Sequence, residues 1–173
     1  PASGSLSLVS EKPTFSAKPC FTCLDKSRRY LLVSHHADSG YTTRLVRDEA
    51  GFSSLTVFDD AALVVFRVNP DGSLGEMCDA LTTPGDGPAG EHPISHLHAV
   101  IADPTGELFI VPDKGLDRLH TFHLERESGK LIRLADTCVE TGTAPRYGVF
   151  HPRLPIFYAN FERRAQVQAY RYD

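Results

Sequence analysis

No run of apolar residues approaches the roughly 18 that a membrane-spanning helix requires, so no membrane partner is expected. No basic cluster interleaved with aromatic residues occurs and the net charge is −4, which argues against a nucleic-acid surface. The chain opens PASGSLSLVSEKP, with neither a charged n-region nor an apolar h-region, and without an initiator Met. A cytoplasmic location, and origin as a piece of a longer protein, are the corresponding expectations. Cysteine is sparse: Cys20, Cys23, Cys78 and Cys138 make no disulfide-rich pattern over 173 residues. Cys20 and Cys23 form a C-x-x-C in an extended segment, with no second C-x-x-C for zinc and no helix start for redox chemistry. They read as reduced strand cysteines. Helical periodicity is missing too, since no long segment repeats its apolar residues every 3.6 positions.

What is present is repetition. PCFTCLDKSRRYLLVSHH, LHAVIADPTGELFIVPDK and PRYGVFHPRLPIFYANFE each read as a short apolar strand, a turn at Asp25, Asp103 or His151, and a second apolar strand. A third strand follows in each unit, as ALVVFRV, LHTFHL and VQAYRY. NPDGSL and ESGKL then turn into fourth strands. From Asp103 to His151 the period is 48 residues. The turn residue precedes the aromatic of the third strand by 19 residues in the second unit (Phe122) and the third (Tyr170), but by 41 in the first (Phe66). The extra 22 residues fall within 37–62, a polar, Gly-bearing stretch expected as a long loop. Four short strands per unit at this period predict an all-β chain, a β-propeller of four-stranded antiparallel blades. GSLSLV at the start reads as the last strand of a preceding blade, so residues 1–173 hold about three blades. Three cannot close a ring that typically needs about four to eight, and open edges are a liability. The remaining blades are expected from missing sequence or from another chain.

The repeat brings distant residues together. Five positions before each turn stand Cys20, His98 and Arg146; eleven positions after it stand His36, Lys114 and Glu162. Equivalent positions on successive inner strands of a propeller surround one channel. An imidazole, a guanidinium and a carboxylate there would make an acid–base and anion-binding site.

With these residues in view, SHLHAVIADPTGELFIVPDKGLDRLHTFHLERESGKL, APRYGVFHP and FYANFERRAQVQAYRYD resemble the seven-bladed lactonase propellers. That family includes bacterial-type 6-phosphogluconolactonases and the fungal 3-carboxy-cis,cis-muconate lactonizing enzyme. The resemblance covers most of 12–173 and implies three blades out of seven. It implies that His98, Arg146 and Glu162 occupy the active-site positions of the lactonizing enzyme, with a further family arginine beyond Asp173. It also implies a small anionic substrate, a lactone or carboxylate, and no cofactor. His35-His36 and Phe161-Glu162 depart from the family's usual residues after the second strand.

For the chemistry, Arg146 offers a bidentate fork to carboxylate or phosphate. His98 is expected to titrate near working pH and move the proton, with Glu162 orienting it or activating water. His36, His96 and Lys114 are the candidate substrate-binding residues. His96 and His98 share a strand face at a spacing seen in some zinc sites, with His92 or His36 as a third ligand, but no metal is expected. His120 and His123, on the third strand, read as structural, and Asp113 and Asp117 as turn residues. Sugar-lactone hydrolysis is the leading reading, with muconate cyclisation next and a non-enzymatic binding scaffold as the rival class.

Overall fold

The computed structural model describes residues 4–38, 40–85 and 94–173. Thirteen strands and no helices make up the regular structure of these residues. β1 (Pro19–Leu24) and β2 (Tyr30–His35) come first, followed by β3 (Tyr41–Asp48) and β4 (Gly51–Phe58). β5 (Ala61–Val68) and β6 (Leu74–Thr83) pair onto β2 to complete a four-stranded antiparallel sheet in the order β1-β2-β5-β6. β7 (Ile101–Ala102), β8 (Leu108–Asp113), β9 (Arg118–Leu124) and β10 (Leu131–Cys138) form the second four-stranded sheet. β11 (Pro145–Phe150), β12 (Ile156–Phe161) and β13 (Gln166–Arg171) form a third sheet of three strands. These are three propeller blades.

The repeat seen in the sequence has an atomic counterpart. At each turn between the first two strands the same backbone bond closes: Asp25 N to Tyr30 O, Asp103 N to Leu108 O and His151 N to Ile156 O, at 3.0, 2.9 and 2.8 Å. The turn side chain then accepts from backbone N–H groups that follow it. Asp25 accepts from Ser27 and Tyr30, and Asp103 from Thr105, Glu107 and Leu108. In the third blade His151 accepts from Arg153 and Leu154 through Nδ1, an imidazole replacing the carboxylate. Six residues on, Leu31, Phe109 and Phe157 pair across the sheet with Phe66, Phe122 and Tyr170, so all three blades share one register.

The blades stack face to face. Between the first and second lie Tyr30, Leu32, Leu63, Val65, Phe109 and Phe122, all buried. Between the second and third lie Ile110, Leu119, Phe150, Phe157 and Phe161. Each such side chain gains about 1.5–3 kcal/mol on leaving water. Tyr30 also crosses the first interface with its hydroxyl, which donates to the carbonyls of Arg126 and Glu127 at 3.1 and 3.2 Å. Gly129 (φ +78°) makes that approach possible, because a Cβ there would lie 2.5 Å from the Tyr30 ring.

The structure corrects three sequence expectations. The 37–62 segment is not a loop: β3 and β4 pair along their whole length as a separate two-stranded hairpin. Its β-branched residues (Thr42, Thr43, Val46, Thr56, Val57) outweigh its polar look, and the Asp48 carboxylate closes the turn by accepting from Ala50 N at 2.8 Å. Residues 4–9, read as a strand, make no strand pairing, and Leu6 is fully exposed. Third, the inner strand of the second blade shrinks to Ile101–Ala102, preceded by a single bridge between Leu97 and Asp113. Side-chain bonds to Asp113 reinforce the few backbone bonds there.

Candidate active site

The inner strands begin in equivalent ways. The amides of His36, Lys114 and Glu162 donate to the carbonyls of Lys18, His96 and Ala144, each at 3.0 Å. Two residues past those carbonyls stand Cys20, His98 and Arg146, in matching register. In the first and third blades the ladder slips by one residue between Pro19 and Phe21 and between Pro145 and Tyr147, so Cys20 and Arg146 are bulged residues. A bulge re-aims its side chain away from the sheet plane. Lys18 and Ala144 precede these prolines with φ of +52° and +57°. For non-glycine residues that conformation costs on the order of 1–2 kcal/mol. At Ala144 the surroundings enforce it: Asp117 accepts from the amides of Gly142 and Ala144 at 2.6 and 2.8 Å.

The six sequence-derived candidates form one cluster. Glu162 bridges two cations, accepting from Lys114 Nζ at 3.2 Å and from Arg146 Nη1. His36 stacks on His96 with centroids 4.2 Å apart and meets His98 edge-on at 5.6 Å. His98 in turn meets Tyr147 edge-on at 4.8 Å, and the Arg146 guanidinium lies 5.6 Å from the same Tyr147 ring. The Nδ1–H of His96 donates to the His36 carbonyl, and that of His36 to the Ala37 carbonyl, fixing both tautomers.

Exposure and charge differ across the cluster. His98 is 6% exposed, with Nδ1 buried and unpartnered. The Arg146 side chain is 35% exposed, although its Nε is buried and unpartnered as well. Burial, then the positive charge of Arg146 and the neighbouring His36, push the His98 pKa down to about 4. Its imidazole is therefore neutral at working pH, which corrects the expectation that it titrates there. Burial also lowers His36, helped by His96 and Lys114. The hydrogen bond from Lys114, followed by that from Arg146, holds the Glu162 carboxyl below its usual range.

Glu162 does not orient His98; its oxygens are taken by Lys114 and Arg146. Nor does it pair with its sequence neighbours, since Arg164 bonds to Glu140 instead. Lys114, Arg146 and Glu162 together leave one net positive charge beside a neutral imidazole. That arrangement can hold an anionic oxygen and accept a proton next to it. Tyr147, which touches both His98 and Arg146, was not singled out in the sequence; its place directly after Arg146 on a bulge was the available signal. The Cys20 thiol donates to the carbonyls of Leu97 and His98 at 3.2 and 3.4 Å, tying the first blade to the His98 segment. Burial raises its pKa, which suits this structural role. Among the described residues no group of three or more His, Cys, Asp or Glu could hold a metal ion, and His92 lies outside them. No helix of the described residues is long and apolar enough to cross a membrane.

A family model for the seven-bladed β-propeller lactonases matches residues 1–173. The chain belongs to that family. Over 171 residues it is 23% identical to a 6-phosphogluconolactonase of Bacillus subtilis, covering 99% of this chain and 42% of that protein. A 6-phosphogluconolactonase of Yersinia enterocolitica is 35% identical over 75 residues, 42% of this chain and 22% of the relative. Among solved structures, a putative 6-phosphogluconolactonase from Bacteroides fragilis superposes with a TM-score of 0.58 at 19% identity, covering 94% of this chain and 55% of that one. A periplasmic gluconolactonase from Pseudomonas aeruginosa gives 0.59 at 17% identity, covering 90% and 54%. Both superpositions report the fold. The chain spans less than half the length of the curated relatives it matches, in keeping with three blades out of seven.

Proposed function

We propose that this lactonase-family chain carries part of the active site of a sugar-lactone hydrolase acting on an anionic substrate such as 6-phosphogluconolactone. The observation that carries the reading is the Lys114–Glu162–Arg146 cluster set beside a buried, neutral His98. In the proposed reaction the His98 imidazole takes a proton from water as the water oxygen attacks the lactone carbonyl carbon. Arg146 and Lys114 stabilise the oxyanion that forms. The ring C–O bond then breaks, and the departing alkoxide takes the proton back from the imidazolium, leaving the open-chain hydroxy acid. His36 and His96 line the substrate's remaining oxygens. The planar Arg146 fork suits a carboxylate or phosphate.

The names of the relatives favour hydrolysis over muconate cyclisation, and the convergence of six polar side chains favours an enzyme over a binding scaffold. The remaining blades, from further sequence or another chain, complete the site. A cytoplasmic location fits Cys20, Cys23, Cys78 and Cys138, all free thiols. The test is turnover of the full-length protein on 6-phosphogluconolactone, gluconolactone and 3-carboxymuconate side by side. Fastest turnover on the phosphorylated lactone supports the proposal; activity on the muconate alone overturns it.

A further inference from the structure

Asp113 closes β8 and is fully buried, an unusual place for a carboxylate. It accepts five hydrogen bonds: Oδ1 from the amides of His96 (2.8 Å), Gly115 (3.0 Å) and Leu116 (3.0 Å), and Oδ2 from Ser95 Oγ (2.5 Å) and His120 Nε2 (3.2 Å). Burial opposes its charge, but the bonds from His120 and Ser95 hold its carboxyl below the usual range. His120 is itself fully buried, and its Nδ1 lies 2.9 Å from Asp136 Oδ1, with Arg133 bonded to that second carboxylate. Ser95, Asp113, His120, Asp136 and Arg133 thus run as one polar chain from the inner strand to the outer strand of the blade.

The backbone around Asp113 is the backbone of the site. His98 N donates to Pro112 O and Lys114 N to His96 O, both at 3.0 Å, and Leu97 bridges Asp113 itself. Gly115 presses so close to Ile94 that a Cβ would lie 1.7 Å from its carbonyl oxygen and 3.0 Å from the His96 ring. The corresponding residue is His35 in the first blade and Phe161 in the third, so among the described residues a buried carboxylate holds this position only in the blade that supplies His96, His98 and Lys114. That blade has the shortest inner strand, two residues, where ladder bonds alone hold least.

We propose that Asp113 is the positioning residue of the site, its carboxylate locking the His96–His98 segment and the Lys114 turn into one rigid unit, with His120 holding the carboxylate in place. Asp113 touches no substrate in this role. Asparagine is close in size and keeps one acceptor oxygen, but it presents an NH2 group to the two donors, Ser95 and His120, that now meet Oδ2. The His98 ring should then move away from Arg146, His36, Lys114 and Tyr147, the groups that face it.

The proposal rests on the lactonase reading for one of its two readouts only. In the full-length protein, Asp113→Asn should lower kcat on 6-phosphogluconolactone by about 10²-fold, the scale of a 1 Å misplacement, with KM held within about threefold. The His98 imidazole, followed by NMR and assigned with His98→Asn, should titrate about one unit higher than in the wild type, whose midpoint is about 4. Should Asp113→Asn fail to fold, Ser95→Ala removes one of the five bonds, and both readouts should move in the same directions, kcat by about tenfold. A variant that loses only thermal stability, with wild-type kcat and His98 titration, overturns the proposal. If the wild type turns over no lactone, the lactonase reading fails, and the titration shift alone decides the role of Asp113.

Discussion

Replacing His98 by Asn removes the proposed base while keeping a side chain of similar size at a buried position. The imidazole is neutral at working pH, so no charge is lost, and the Lys114–Glu162–Arg146 bridge should survive. Binding of the anionic substrate should then change little. Loss of a positioned acid–base group typically costs about 10²–10⁴-fold, or about 2.7–5.4 kcal/mol of transition-state stabilisation. The assay is steady-state turnover of 6-phosphogluconolactone by the full-length protein from about pH 3 to about pH 8, spanning the His98 midpoint and corrected for spontaneous hydrolysis. In the wild type, kcat/KM should rise with pH through about 4, as the imidazole loses its proton, and stay flat above. In His98→Asn the plateau should drop and the rising limb should vanish. Near-wild-type turnover, or an unchanged limb, would remove His98 from the proton transfer and leave it as strand-end packing.

Arg146→Lys should lower kcat on 6-phosphogluconolactone about tenfold, because an ammonium lacks the planar fork that holds the oxyanion; the same variant should lose as much on unphosphorylated gluconolactone. Thermal stability should depend on His98 below neutrality. Its folded pKa, about 4, lies below the ordinary 6.5, so the unfolded chain binds more protons between them. The stability from its neutral burial is complete above 6.5 and is lost as pH falls towards 4; Tm of His98→Asn should fall less steeply over that window. Leu63→Ala, in the packing between the first two blades, should cost about 2–5 kcal/mol in urea unfolding with little effect on KM.

Much of this architecture is legible along the chain because a propeller repeats one local rule. The turns at Asp25, Asp103 and His151 stand at a fixed distance from the apolar strands that flank them, and that spacing is enough to set register. His98 and Arg146, and Lys114 and Glu162, come together by that register alone. Which partner each side chain chooses is not periodic. Glu162 takes its bonds from Lys114 on the neighbouring blade and from Arg146 on its own, rather than serving His98, and only the inter-blade packing decides it. The low pKa of His98 likewise depends on burial among cations, which no single segment displays. Asp113 looks like one more turn aspartate until its buried partners appear. The hairpin of β3 and β4 was obscured by composition, since its charged and glycine residues concealed two strands of matching length.

The central claim is that Arg146, Lys114 and His98 act together on one anionic oxygen. A crystal structure of the full-length protein with the hydroxy-acid product bound tests it most directly. The account predicts a product carboxylate oxygen within hydrogen-bonding distance of the Arg146 guanidinium, with a His98 ring nitrogen reaching the same carboxylate. A product seated elsewhere, with the Lys114–Glu162–Arg146 bridge untouched and His98 in contact with protein alone, would contradict it.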